Sequence, residues 1–128
     1  IVEDTPDLRR FLRQSLSECY RIQEAENGKE AIDKIMKKQY DLVFMDAAKA
    51  QYMSFLAQIL RMLPSGALLI TDNVLQEGSI VESKYSITRR DRTIHMRMRE
   101  YLYELKHNDA LTTSIVAVGD GMALSVKR

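Results

Sequence analysis

Three residues, Gly119-Asp120-Gly121, are all that separate two apolar runs at the end of the chain, Thr113–Val118 and Met122–Val126. A parallel pair needs a crossover of a dozen or more residues, so two strands joined this tightly pair antiparallel as a hairpin. Upstream the pattern is different. Short apolar runs alternate with stretches of helical spacing, which is the signature of parallel strands with crossover helices. A sheet that is mostly parallel and closes with an antiparallel hairpin satisfies both patterns.

The alternation begins with Ile1-Val2 as a strand stub and a loop over Glu3-Asp4-Thr5-Pro6. Asp4 or Thr5 can cap a helix that has Pro6 at its first position. Leu8, Phe11, Leu12, Ser15 and Leu16 then form one helical stripe. Tyr20–Ala25 reads as a strand ended by Glu26-Asn27-Gly28, and residues 29–38 read as a helix. Asp41–Met45 is the third strand, residues 50–63 the third helix, and Pro64-Ser65-Gly66 its stop. Ala67–Thr71 is the fourth strand, and a long connection runs from Val74 to about Arg90. Residues 91–107 return to helical spacing through Ile94, Met98, Tyr101, Leu102 and Leu105. The expected architecture is α/β: a single domain over 1–128, a three-layer α/β/α sandwich on a mostly parallel six-stranded sheet.

Bulk properties exclude several classes. With 128 residues and a net charge of +1, nothing points to nucleic acid or an acidic membrane as a global partner. No apolar run approaches the roughly 20 residues of a membrane-spanning helix, and the chain does not open on a signal peptide. A single cysteine, Cys19, suits a reducing cytoplasm, where the protein is expected to reside. Arg89, Arg90, Arg92, Arg97 and Arg99 are interleaved with Asp91, Glu100 and Glu104, which favours a solvated helix face over a nucleic-acid surface. His95 and His107 lack metal-ligand spacing and are expected to be exposed.

The apolar run of DLVFMD ends in Asp46, the way a buried parallel strand delivers an acid to the rim of a sheet. Two resemblances meet there. IVED-x-PDLRRFLRQSL, YRIQEAENGKEAIDKI and QYDLVFMD resemble the receiver domain of bacterial response regulators, over residues 1 to about 45. That resemblance implies Mg²⁺ on Glu3, Asp4 and Asp46, with Asp46 as phosphoacceptor. Thr71 would stand for the switch hydroxyl, but the fifth-strand lysine of that family has no counterpart in SIVAVGDG.

FMDAAKAQY, LPSGALLITDNVLQEG, RRDRTIHMRMREYLYEL and TTSIVAVGDGMALSVK are similar to the C-terminal half of a metal-dependent, catechol-type O-methyltransferase, over about 41–128. This resemblance implies a divalent ion on Asp46, Asp72 and Asn73 and Lys49 as base. On the residues alone, these acids are equally read as solvated strand ends, and Lys49 as an ion-pair partner of Asp46. The family's glycine-rich S-adenosylmethionine turn has no equivalent in Glu3-Asp4-Thr5-Pro6-Asp7, and only Glu24 or Glu26, near the end of the second strand, could stand for the ribose-binding acid.

Together the resemblances imply an engineered chimera testing fragment recombination, with no evolved activity, not an enzyme, and a natural degenerate protein as the alternative origin. A vestigial phosphorelay receiver and a residual S-adenosylmethionine O-methyltransferase are the competing functional readings. The receiver half brings strand order 2-1-3 and the methyltransferase half an inserted last strand, giving 2-1-3-4-6-5 with strand six antiparallel. No cofactor is expected beyond weakly held Mg²⁺ or Ca²⁺, at Glu3, Asp4, Asp46, Asp72 and Asn73. No specific partner is expected, except self-association through residues 78–90, where Ile80, Val81, Tyr85 and Ile87 stand to lose their packing.

Overall fold

The structure is a computed structural model and describes residues 1–2, 5–46, 48–76, 78–83 and 85–128. The chain divides into two compact units, Ile1–Gln39 and Tyr40–Arg128.

The first unit holds two helices, α1 (Pro6–Leu16) and α2 (Gly28–Ile35). Pro6 starts α1 because its fixed φ suits the first turn and its missing N–H is not needed there. Asn27 caps α2 by accepting from the Glu30 N–H at 3.0 Å, while the Glu30 carboxylate accepts from the Glu26 N–H at 2.8 Å. Lys34 closes the turn with an ion pair to Glu30 at 2.6 Å. The two expected N-terminal strands are not formed as strands: they meet in one parallel bridge, Val2↔Ala25. The stripe on α1 is not a core face either. No α1 residue is buried, and Phe11 is 63% exposed. Ala25 and Ala31 are the buried apolar residues described in this unit, in keeping with how little surface so short a segment can cover.

The second unit is built on β1 (Leu42–Met45), α3 (Tyr52–Met62), β2 (Leu68–Thr71), α4 (Arg92–His107), β3 (Leu111–Val116) and β4 (Met122–Lys127). The sheet has four strands in the order β1-β2-β4-β3, so the expected count of six is corrected. β1 and β2 are parallel, and β4 lies between β2 and β3, antiparallel to both. One face of the sheet is sealed: Met45, Leu69, Thr71, Ala123 and Ser125 are buried, while Leu68, Ile70 and Leu124 alternate with them and are partly exposed. Leu56 and Ile59 of α3 and Met98, Tyr101 and Leu105 of α4 complete the core. They recur at intervals of three or four residues, as one face of a helix requires. The buried hydroxyls are paired, Thr71 with Tyr101 at 2.7 Å and Ser125 with Thr113 at 2.9 Å.

Two expectations about the 74–107 region are corrected. His95 is buried, because it lies three residues before Met98 on the side of α4 that also carries Tyr101 and Leu105. Its Nε2 lies 3.1 Å from the Ser79 carbonyl, and its Nδ1 has no partner among the described residues. The connection itself is packed in part: Val74 and Ile80 are buried, and Arg99 donates to the carbonyls of Ile80 and Glu82. Val81 and Tyr85 are exposed. Among the described residues no helix is long and apolar enough to cross a membrane.

The α2 cap carries a pH signature. The hydrogen bond from the Glu26 N–H, and next the Lys34 side chain, hold the Glu30 carboxyl below its ordinary value of 4.5. A carboxyl whose pKa is lowered by folding stabilises above its ordinary value, and that contribution disappears as pH falls through the lower folded value. The protection of amides 31–36, taken against the intrinsic exchange rate at each pH, should therefore fall on acidification below 4.5. Glu30→Gln should remove that dependence, and Asn27→Ala should cost about 1 kcal/mol of local protection at every pH.

Candidate functional site

The parallel register between β1 and β2 places Met45 beside Thr71, so the next residues, Asp46 and Asp72, leave the sheet from neighbouring strand ends. The Asp72 N–H donates to the Met45 carbonyl at 3.1 Å, which holds the two ends together past the last ladder pair. Adjacent strands lie about 4.8 Å apart, a separation that lets oxygens from both ends face one ion. Asp46 is exposed, whereas Asp72 and Asn73 are half-buried. Asn73 sits at φ 56°, the left-handed region that asparagine tolerates better than most residues. Its N–H donates to Asp72 Oδ1 at 2.7 Å, and the Tyr52 hydroxyl donates to the Asp72 carbonyl at 3.2 Å.

The β3–β4 hairpin supplies the other wall. β2 pairs with β4 as Thr71↔Ala123, so the 119–121 loop lies at the same edge as Asp46 and Asp72. Val74 N–H donates to the Gly121 carbonyl at 3.0 Å and Leu75 N–H to the Asp120 carbonyl at 2.9 Å. Gly121 has φ 81°, and a Cβ there would lie 2.2 Å from Leu75 Cγ. Glycine is required twice over at that position.

Lys49 opens a 3-10 turn, Lys49–Gln51, and its Nζ lies 3.9 Å from Asp120 Oδ2. The expected ion pair of Lys49 is therefore made with Asp120 of the hairpin and not with Asp46. Asp120 and Tyr52 are the site residues that sequence reasoning missed. The signal was present for Asp120: an antiparallel strand inserted beside β2 must begin at the edge where β2 ends.

Of the five residues expected to hold metal, the topology brings Asp46, Asp72 and Asn73 to one edge. Glu3 and Asp4 lie outside the described residues. Among the described residues no group of three or more His, Cys, Asp or Glu could hold an ion, so any site here depends on the Asn73 amide oxygen as well as the two acids. The donor set is all oxygen, which suits a hard divalent cation such as Mg²⁺ or Ca²⁺. The arginines of the α4 region bind neighbouring carbonyls: Arg92 that of Ile87, Arg97 that of Ala50.

Comparison with known proteins places this arrangement. The O-methyltransferase family profile matches residues 15–128. The tapetum-specific methyltransferase 1 of Arabidopsis thaliana is 26% identical over 88 residues, 69% of this chain and 38% of that protein. A solved Staphylococcus aureus protein, provisionally assigned as a caffeoyl-CoA O-methyltransferase, superposes with a TM-score of 0.75 at 30% identity, covering 99% of this chain and 63% of that one. This chain belongs to the O-methyltransferase family. It spans less than half the length of the curated relatives it matches.

The reading of an inert engineered chimera is overturned by these findings. One family profile runs across the supposed junction at 41–46, and one O-methyltransferase structure accounts for nearly the whole chain. The expectation that the chain is no enzyme falls with it. The expectation of no cofactor rested on the same inert reading and is withdrawn with it, because the family profile covers residues 15–128. An O-methyltransferase from Bacillus cereus, solved in complex with SAH, shares the fold at 18% identity and a TM-score of 0.71. The likeness to a response regulator is confined: ResD of Bacillus subtilis is 49% identical over 47 residues, 36% of this chain and 20% of that protein. It does not carry a phosphorelay role, and Asp46 is not retained as a phosphoacceptor.

The rim predicts its own weak point. Gly121→Ala should displace Leu75 and cost about 1–3 kcal/mol in urea unfolding, because side chain and backbone both object. Gly119→Ala, with nothing within 4 Å of its Cβ, meets only its φ of 56° and should cost less.

Proposed function

We propose that this chain is a divalent-cation-dependent O-methyltransferase whose acceptor side is carried by residues 40–128, with S-adenosylmethionine as the methyl donor and a phenolic hydroxyl, of the catechol or caffeoyl type, as acceptor. The observation that carries this reading is the register of β1 on β2, which delivers Asp46 and Asp72-Asn73 to one edge beside Lys49. Family membership supports the donor.

Asp46, Asp72 and Asn73 would hold the ion, and an ion there would lower the pKa of an acceptor hydroxyl. Lys49, whose Nζ lies 3.9 Å from Asp120 Oδ2 of the hairpin at this edge, would be the base for the hydroxyl proton. Asp120 orients Lys49 through the 3.9 Å ion pair.

The donor side is less complete. No glycine occurs before Gly28, and Glu24 and Glu26 are engaged by Arg13 at 3.1 Å and Arg9 at 3.2 Å. These residues do not fit S-adenosylmethionine in the way a glycine turn and an unengaged ribose-binding acid would, so no step is assigned to residues 1–39. The reading also includes a reducing cytoplasm, consistent with the exposed Cys19 thiol, and self-association through residues 78–90, supported by the exposed Val81 and Tyr85.

Transfer of a labelled methyl group from S-adenosylmethionine to a catechol, measured with and without Mg²⁺, tests the proposal. Activity should need the ion, and Lys49→Met should lower it about 10²-fold. Asp46→Asn and Asp72→Asn should each weaken cation binding in calorimetry by about tenfold or more. Failure of the parent chain to bind S-adenosylmethionine and to methylate any catechol would defeat the reading.

A further inference from the structure

Thr71 is the last residue of β2, and Asp72 follows it. Because side chains alternate along a strand, Thr71 points into the core while the chain beyond it turns out to the rim. The Thr71 hydroxyl lies 2.7 Å from the Tyr101 hydroxyl, and both residues are fully buried. Burial pushes the Tyr101 hydroxyl far above its ordinary pKa, so it stays protonated and able to donate. Tyr52, from α3, meets Tyr101 edge-on with ring centroids 5.2 Å apart, and its own hydroxyl donates to the Asp72 carbonyl. Tyrosines from two helices thus grip consecutive residues of one strand end, one by a side chain and the other by the backbone.

The grip has a physical purpose at the next residue. Asn73 is left-handed at φ 56°, a sparsely populated conformation that persists where surrounding contacts enforce it. Downstream, the hairpin carbonyls hold the N–H groups of Val74 and Leu75. Upstream, the Asp72 N–H is held by the Met45 carbonyl, and the side-chain contacts are the Tyr101 and Tyr52 hydroxyls. A hydrophobic core would be as well filled by phenylalanine and valine at positions 101 and 71, with no buried hydroxyls to satisfy. The polar pair sits at the one place in β2 where a small backbone rotation would redirect two rim oxygens.

We infer that Tyr101, through Thr71, and Tyr52, through the Asp72 carbonyl, are positioning residues that set the direction in which Asp72 and Asn73 present their oxygens. This inference rests on the proposed cation-dependent reading for its functional meaning. Its structural content stands on three side chains, Tyr101, Thr71 and Tyr52, and on the Asp72 and Asn73 backbone.

The test uses the full chain and five variants: Tyr101→Phe, Thr71→Val, their double mutant, Thr71→Ser, which keeps the hydroxyl, and Tyr52→Phe. Ile59→Val, a core change in α3 away from β2's end, controls for lost stability alone. Mn²⁺ binding is measured by calorimetry on samples shown to be folded, and amide exchange of Asn73 and Val74 is measured without metal. Tyr101→Phe, Thr71→Val and Tyr52→Phe should each weaken Mn²⁺ binding about tenfold, in the range seen when groups that orient metal ligands are removed. The Tyr101→Phe/Thr71→Val double mutant should be no weaker than either single, because both remove the same hydrogen bond. Thr71→Ser and Ile59→Val should stay within about twofold of the parent. Exchange at Asn73 and Val74 should quicken in the three hydroxyl-deletion variants beyond the Ile59→Val control. If those variants match the control in both measurements, the tyrosines serve packing alone and the inference is wrong. If the parent chain binds no Mn²⁺, the cation reading fails, and the exchange comparison alone decides the positioning claim.

Discussion

Everything at the rim depends on one pairing, the parallel ladder between β1 and β2 in the register Met45↔Thr71. Parallel strands end at the same edge, so a residue that follows one strand is automatically beside the residue that follows the other. A slip of either strand by one residue would turn its own buried residues, Met45 on β1 or Leu69 and Thr71 on β2, out of the core and pull the two acids out of step. The register is fixed by burial, with Met45, Leu69 and Thr71 sealed beneath the helices. The core therefore sets the site's geometry before any polar contact is made.

The hairpin adds a second constraint of a different kind. Because β4 enters antiparallel between β2 and β3, its starting end reaches the edge where β2 stops. The turn then serves three purposes. Its carbonyls fix Val74 and Leu75, its Gly121 admits Leu75 at a distance no side chain would permit, and its Asp120 meets Lys49. Short loops of this sort are usually read as connections. Here the connection carries an acid to a position that no strand or helix in the unit provides.

How much of this was legible depended on what each residue's neighbours in sequence could reveal. The strands and helices of residues 40–128 follow from their periodicity, and the Asp46, Asp72 and Asn73 edge follows from apolar runs that end in polar groups. Position 95 was misjudged because a histidine between arginines looks solvated, and only the fold of the 74–91 connection over α4 buries it. The stripe on α1 misled in the opposite sense. Leu8, Phe11 and Leu16 have helical spacing, yet spacing cannot say whether there is anything to cover them, and these residues are exposed. The missing glycine turn at residues 3–7 drew attention away from the family, yet the profile match begins only at residue 15 and does not depend on that loop, where residues change most freely.

The contrast between the two units has an energetic basis. Among the described residues of 1–39 the interactions include one backbone bridge, two small buried alanines, helix caps, and surface ion pairs such as Arg10–Asp7 and Arg13–Glu24, the ion pairs each worth about 1 kcal/mol or less when exposed. In residues 40–128 the named interactions are buried side chains, each contributing roughly 1.5–3 kcal/mol when fully covered. Precision follows stability. A strand end held by a packed core and by buried hydroxyls has one accessible geometry, whereas a loop held by exposed ion pairs has many. Chemistry that needs oxygens fixed to within a fraction of an ångström belongs where the register, the tyrosine hydroxyls and the hairpin carbonyls all constrain the same three residues, Asp72 through Val74.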